Sequence, residues 1–385
     1  MSTKPGISFE YIDTEPQIDH VIRQMRRVTR IAVDTEADSM HHYYAKVCLI
    51  QLAMEGEHWI VDPLAGLDLG EFMEVLAQKQ LILHGGDYDL RMLRSSFGFR
   101  PQQGVFDTGL AAQLLGYSKF GLISLVEAQF QVTLTDLGKK TNWSKRPLTS
   151  SQLEYACNDT RYLEAMTDIF TEKLTALGRL EWHRELCQRM VDGTLEEKAK
   201  DEDDAWRIKG KSQLDRRQLA FLREIWHWRE AEAQLADLPP FKVLMNQKLI
   251  ELALWASAHP TTPVSQGPKL PVTCRGKRLH ALEKAIHAAA KMSPKDWPFH
   301  KKPTPAPKSE PFLKQRIEKL AQACTVVAEG LGIAVPVLAS RAILKAIANH
   351  KPQTKEGMIE TSGMQRWQAD LLWPALQPLL HDEQT

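Results

Sequence analysis

The segment Ile31-Ala32-Val33-Asp34-Thr35-Glu36-Ala37-Asp38 constrains the fold most, because an apolar run there ends abruptly in carboxylates. In a strand, residues i and i+2 lie on the same side, so Asp34 and Glu36 project together where apolar gives way to polar. Two carboxylates so placed repel each other, and a shared proton or a bound cation must offset the repulsion. An isolated Asp-x-Glu also has a plainer reading, a strand running out into an acidic loop. The rest of the chain must decide.

With 385 residues, the chain is long enough for two or three units of about 150 residues each. Its 43% hydrophobic and 25% charged content are those of a soluble globular protein. No stretch approaches the ~20 apolar residues of a membrane span, and the segment Met1 to Gly6 begins no signal-peptide core. The expectation is a cytoplasmic protein with no membrane partner. Cys48, Cys157, Cys187, Cys274 and Cys324 are odd in number and never spaced Cys-x-x-Cys, which argues against a disulfide framework or a zinc site and for reduced, buried thiols.

Read in order, the chain predicts a strand from Ser8 to Ile12 and a helix from Glu15 to Arg27. Three strands follow, Arg30 to Thr35, Val47 to Met54 and His58 to Asp62, whose short connections suit an antiparallel meander. A helix from Leu69 to Lys79, a strand from Leu81 to His84, and a Gly85-Gly86 break lead into a helix from Asp87 to Phe97, for which Asp87 is the expected N-cap. Asp107 or Thr108 caps a helix to Leu115, and another runs from Leu122 to Phe130. Ser151-x-x-Glu154 reads as a capping box opening a helix through Ala176, and a further helix spans Leu180 to Lys200. Strands first, then strands and helices alternating, predict an α/β class: a mixed sheet flanked by helices.

Beyond the acidic linker Asp201-Glu202-Asp203-Asp204 the pattern is all helical, with helices from Leu214 to Leu235, Asn246 to Ala258 and Leu279 to Lys291. Five prolines between Pro294 and Pro307 mark a linker, and helices resume from Pro311 to Gly330, Pro336 to Asn349 and Thr361 to Leu380. The expected division is residues 1–205, an all-α domain at 206–293, a Pro/Lys-rich linker at 294–308 and a second all-α domain at 309–385. The two helical regions are similar in length and read as degenerate copies. The net charge of +1 hides an asymmetry: from Gly267 to Lys314 eleven Lys or Arg face three acids, a local +8 that leaves about −7 elsewhere. An acidic body with a basic segment suits a nucleic-acid enzyme with a separate binding module, and equally a solvated linker.

Two further segments carry acids. His84-Gly85-Gly86-Asp87-Tyr88-Asp89-Leu90 puts carboxylates at a strand-to-helix junction, and Asp89, preceded by an aromatic, is the better candidate for a cleft. Tyr155 and Asp159 stand one helical turn apart on one face. Each signal is weak alone. In the order Asp-x-Glu, aromatic-Asp, Tyr-x-x-x-Asp, on a strand, a junction and a helix, they form a specific constellation.

That constellation, with Tyr43-Tyr44, Leu49-Ile50-Gln51-Leu52 and Arg146-Pro147-Leu148-Thr149, resembles the DEDD exonucleases of the tyrosine subgroup, and within them the ribonuclease D family. The likeness covers about residues 8 to 200 and continues at Trp206-Arg207-Ile208-Lys209-Gly210 into what look like tandem HRDC domains, the second copy matching more weakly. Ala37-Asp38 after Glu36 departs from the phenylalanine of many members. The resemblance implies a ribonuclease H-like exonuclease fold and a 3′-to-5′ exoribonuclease releasing nucleoside 5′-monophosphates from structured RNA with a 3′ tail, such as tRNA precursors. It also implies two Mg²⁺ or Mn²⁺ ions ~3.5–4 Å apart, oxygen-ligated because the constellation holds neither His nor Cys. By analogy Asp34 bridges both ions, Glu36 and Asp159 complete one site, Asp89 holds the other partly through water, and Tyr155 orients the attacking water. Candidate substrate contacts are Thr35 and Tyr44, with His41 and His42 nearby, and Lys277, Arg278, Lys301 and Lys302 in the basic stretch. Trp226, Trp228, Trp255 and Trp297 could stack on bases, although tryptophans at helical spacing more often form core. The expected state is a monomer. A DNA 3′-5′ exonuclease and a catalytically weak RNA-binding adaptor are the alternatives.

Overall fold

The computed structural model describes residues 8–135, 141–196, 204–300 and 312–380. They form two compact units: one comprises 8–37, 47–196 and 312–380, the other 38–46 and 204–300, each within the described residues.

The first unit is built on a six-stranded sheet in the order β1-β4-β3-β2-β5-β6. Its strands are β1 (Glu10–Ile12), β2 (Arg30–Ala37), β3 (Val47–Met54), β4 (Glu57–Val61), β5 (Gln80–Leu83) and β6 (Val105–Asp107). The expected meander is present: β3 runs antiparallel to both β2 and β4, whereas β5 lies parallel to β2, β6 parallel to β5 and β1 parallel to β4. All eight residues of β3 are buried, as a strand covered on both faces requires. A register shift between Glu36 and Ala37 ends the regular pairing at the acidic end of β2.

The helices of this unit are α1 (Glu15–Met25), α2 (Gly70–Ala77), α3 (Asp87–Phe97), α4 (Thr108–Leu114), α5 (Leu122–Phe130), α6 (Ser150–Arg161), α7 (Leu163–Ala176) and α8 (Leu180–Leu195). Three local expectations are corrected. Gly86, not Asp87, caps α3: a Cβ at Gly86 would lie 2.7 Å from Leu83 Cβ, so a larger residue there must displace Leu83, and Asp87 instead pairs with Arg91 along the helix. The capping box of α6 is Thr149 with Gln152, two residues before Ser151 and Glu154; Gln152 N–H donates to Thr149 Oγ1 at 3.3 Å and Thr149 N–H to Gln152 Oε1 at 2.9 Å. The helix expected through Ala176 breaks at Tyr162 into α6 and α7. Of the two expected caps, Asp107 and Thr108, it is Asp107 that caps α4, accepting from Leu110 N–H at 2.8 Å.

In the second unit, α9 (Arg216–Leu235), the single turn α10 (Pro240–Val243), α11 (Asn246–Ala258) and α12 (Lys277–Lys291) enclose Trp206, Phe221, Ile225, Trp228, Leu249 and Leu282. The connection between β2 and β3, residues 38–46, belongs here, with Tyr43 packed on that core. Trp228 is core, and Trp226 and Trp255 pack against it.

The C-terminal helices α13 (Leu313–Leu331), α14 (Val335–Leu338), α15 (Arg341–His350), α16 (Lys355–Ser362) and α17 (Arg366–Leu380) return to the first unit. A boundary at 309 divides them from the sheet in sequence but not in packing: Phe106, Leu163 and Phe170 share one core cluster with Leu320, Ile347 and Leu372. All five cysteines are buried and in no disulfide. Among the described residues no helix is long and apolar enough to cross a membrane.

Candidate active site

β2 carries Asp34 and Glu36 on one face, and α6, which carries the half-buried Asp159, packs over β2, β3 and β4. One carboxylate oxygen from each of Asp34, Glu36 and Asp159 lies within 4.8 Å of the others. Asp89, in the first turn of α3, is buried and accepts from Thr35 N–H at 3.1 Å and from Thr35 Oγ1–H at 2.6 Å. The sheet and two helices thus bring together the acids that the sequence scatters over 126 positions, Asp34 to Asp159 counted inclusively.

Burial is the main force on their protonation, followed by mutual repulsion. Desolvation, then Asp89, Asp159 and Glu36, raise Asp34 well above the carboxylate range. Desolvation, Asp159 and Asp89 push Glu36 up to about 8. Burial lifts Asp89 to about 6, although both Thr35 donors pull the other way. Such a cluster cannot hold several negative charges without a counter-cation. The donor set is all oxygen, and that fits a hard divalent cation rather than zinc or copper.

Tyr155 lies half-buried one turn before Asp159, its ring 6.0 Å from that of Trp143. The segment just before α6 is held by a network whose far partner the residue patterns did not show. Arg146 forks onto Asp62, with Nε to Oδ2 at 2.5 Å and Nη2 to Oδ1 at 2.6 Å, and donates to the carbonyls of Cys48, Trp143 and Lys145. Tyr11 Oη–H also donates to Asp62 Oδ2. Burial raises Asp62, but the bonds from Arg146 and Tyr11 and the guanidinium charge outweigh it and hold the carboxyl below its ordinary range. The signal available was the motif Arg146-Pro147 itself; its partner, 84 residues away, was not legible.

The proposed substrate contacts fare differently. Thr35 is buried and its hydroxyl is committed to Asp89. Tyr44 is 66% exposed and sits in the second unit, where Asp237 gathers the connection: His42 Nδ1 lies 2.7 Å from Asp237 Oδ2 and Tyr43 N–H donates to Oδ1 at 3.0 Å. Lys277 is exposed at the start of α12, whereas Arg278 Nε donates to Glu232 Oε2 at 3.0 Å. Lys301 and Lys302 lie outside the described residues.

A 3′-5′ exonuclease family profile matches residues 9–175, and the HRDC domain profile matches 218–262 and 314–376. The chain is 32% identical over 256 residues to ribonuclease D of Desulfotalea psychrophila, covering 66% of this chain and 67% of the relative. It is 33% identical over 283 residues to ribonuclease D of a Shewanella species, covering 71% and 70%. The crystal structure of Escherichia coli RNase D, described as an exoribonuclease involved in structured RNA processing, superposes with a TM-score of 0.71 at 26% identity, covering 98% of this chain and all of the other. With its carboxylate cluster, its mixed sheet and its helical tail, the chain belongs to the ribonuclease D family, 3′-5′ exoribonucleases that work with divalent metal ions.

Proposed function

We propose that this enzyme trims the 3′ ends of structured RNA, tRNA precursors among them, releasing one nucleoside 5′-monophosphate at a time, as a monomer in the cytoplasm. The observation that carries the reading is the convergence of Asp34, Glu36 and Asp159, with the charge of Asp89 acting on Asp34 and Glu36, in a half-buried, oxygen-only cluster. Asp34 would hold two Mg²⁺ or Mn²⁺ ions, Glu36 and Asp159 would complete one site, and Asp89 would hold the other partly through water. The chemistry such ions supply is charge stabilisation of the attacking and leaving oxygens of an in-line displacement.

The chain's own residues do the positioning. Thr35 fixes the orientation of Asp89 through one backbone and one hydroxyl donor. Arg146 and Asp62 hold the segment from which α6 starts, so that Tyr155 and Asp159 face the strand. Tyr155 orients the attacking water through its hydroxyl. Support for a structured RNA substrate comes from the description of the E. coli enzyme.

The test is incubation with matched 3′-tailed RNA and DNA in Mg²⁺, Mn²⁺ or chelator, resolving products by length. We expect stepwise loss of 5′-mononucleotides from the RNA, stopped by chelator. RNA left intact with either metal overturns the proposal. Preference for the DNA substrate moves the enzyme to the DNA exonuclease alternative.

A further inference from the structure

Gln51 stands on β3 directly opposite Asp34, with Ile60 of β4 as its other cross-strand neighbour. Residues opposite each other in an antiparallel pair share a sheet face, their Cβ atoms about 4.5–5.5 Å apart. Gln51 is therefore Asp34's cross-strand neighbour on the face that α6 covers with Tyr155 and Asp159. The rest of β3 reads Val-Cys-Leu-Ile before it and Leu-Ala-Met after it, so the carboxamide is the one polar side chain in the strand.

That carboxamide is fully buried, and neither Nε2 nor Oε1 has a hydrogen-bond partner among the described residues. Polar groups are seldom kept in such a state, because the water they give up is not replaced. A leucine or methionine would fill the position and continue the apolar pattern. Breaking a local rule without local gain is characteristic of residues that serve a site. The chemistry of the pair says which service. Ionised Asp34 is acceptor-only, with two oxygens and about four lone-pair positions, while a carboxamide offers two N–H donors and no charge. A cation on the carboxylates leaves lone pairs over, and a neutral donor can take one without disturbing the charge balance.

We propose that Gln51 is a positioning residue for the metal centre: with a divalent cation on the carboxylates, a carboxamide N–H turns to donate to Asp34 and holds that carboxylate in the orientation in which it meets the cation. The inference rests on the metal-dependent reading above. Ligand-orienting hydrogen bonds of this kind change metal affinity by about 10- to 100-fold when removed.

The experiment compares full-length wild type, Gln51→Leu, Gln51→Met and Asp34→Asn by Mn²⁺ titration followed by electron paramagnetic resonance, and by thermal melts in EDTA. Gln51→Leu and Gln51→Met should bind Mn²⁺ about 10- to 100-fold more weakly, yet melt at or above the wild-type temperature in EDTA, because the orphaned amide is gone. A filling role alone would leave Mn²⁺ affinity unchanged. Affinity equal to wild type in whichever of the two variants folds overturns the inference while leaving the metal reading standing. Wild type that binds no more Mn²⁺ than Asp34→Asn overturns both.

Discussion

Crowding the half-buried Asp34 and Glu36 beside Asp89 and Asp159 costs the metal-free protein stability in proportion to how many of the acids are ionised. Glu36 keeps its proton to about pH 8 in the fold against an ordinary 4.5. A proton held more tightly in the folded than in the unfolded chain stabilises fully below the ordinary value, and that contribution is lost as pH rises through the folded one. The metal-free melting temperature should thus fall from about pH 5 to about pH 8, and Mg²⁺ should restore more at the upper end. Melts with EDTA or Mg²⁺ at the two extremes check this, and a flat metal-free profile would refute it. Asp34→Asn should abolish hydrolysis and flatten the same profile, since one charge of the repelling set is gone; normal activity in Mg²⁺ would sink the site assignment. Tyr155→Phe keeps the ring and its contact with Trp143 but loses the hydroxyl. Turnover should fall by ~10² with RNA binding retained, on the scale of a positioned proton-handling group.

The elements that deliver these residues depend on contacts distant in sequence. α6 begins at a capping box and is preceded by Arg146, whose fork onto Asp62 fastens the segment to the end of β4. Asp62's side chain is 5% exposed, so Arg146→Ala would leave a buried charge unpaired. The expected loss is about 3 kcal/mol or more, measured by urea unfolding, and kcat should drop as Tyr155 and Asp159 lose their alignment. Removing both partners with Asp62→Asn and Arg146→Ala should cost less than the sum of the single changes; strict additivity would mean that the pair is not coupled. At this scale the sequence was legible where a helical run met a cap, as at α4. It misled where two cap templates overlapped within two residues, as at Thr149 and Ser151, because the local pattern satisfies both and only Gln152's placement decides.

For the whole molecule, the shared core changes what truncation should do. Cutting after about residue 200 reads in sequence as removal of binding modules, with the catalytic part left intact. In the fold, Trp182 stacks on Trp367 with centroids 4.7 Å apart, and Arg179 donates to the carbonyls ending α4 and α13, those of Leu114 and Leu331, at 2.6 Å each. Removing α13 to α17 strips the cover from that surface. We expect the truncated chain to melt far lower than the full chain and to bind a hydrophobic dye. Trp367→Ala alone should cost about 3–5 kcal/mol. A truncated chain as stable as the full one would show the interface to be idle. The basic segment is tested by salt: Lys277→Ala should flatten the slope of log RNA affinity against log salt by ~0.7–0.9. Arg278→Ala should change it less, because Glu232 already balances that guanidinium. Equal slopes for wild type and Lys277→Ala would remove Lys277 from the RNA contacts.

The sequence by itself determined five of the six strands, β6 being the one it did not show, the longer helices, and the identity of the clustered acids. These are local matters, set by apolar periodicity, by turn residues and by carboxylates at the ends of elements. Only the tertiary structure decided that Thr35 serves Asp89 rather than standing open to substrate, that Arg146 answers Asp62, that Gln51 lies across from Asp34 without a partner, and that the last helices close the core of the exonuclease sheet. The reason is physical. Which group a buried donor, charge or apolar face meets is fixed by strand register and helix packing over tens to hundreds of residues, and no window of sequence contains both partners.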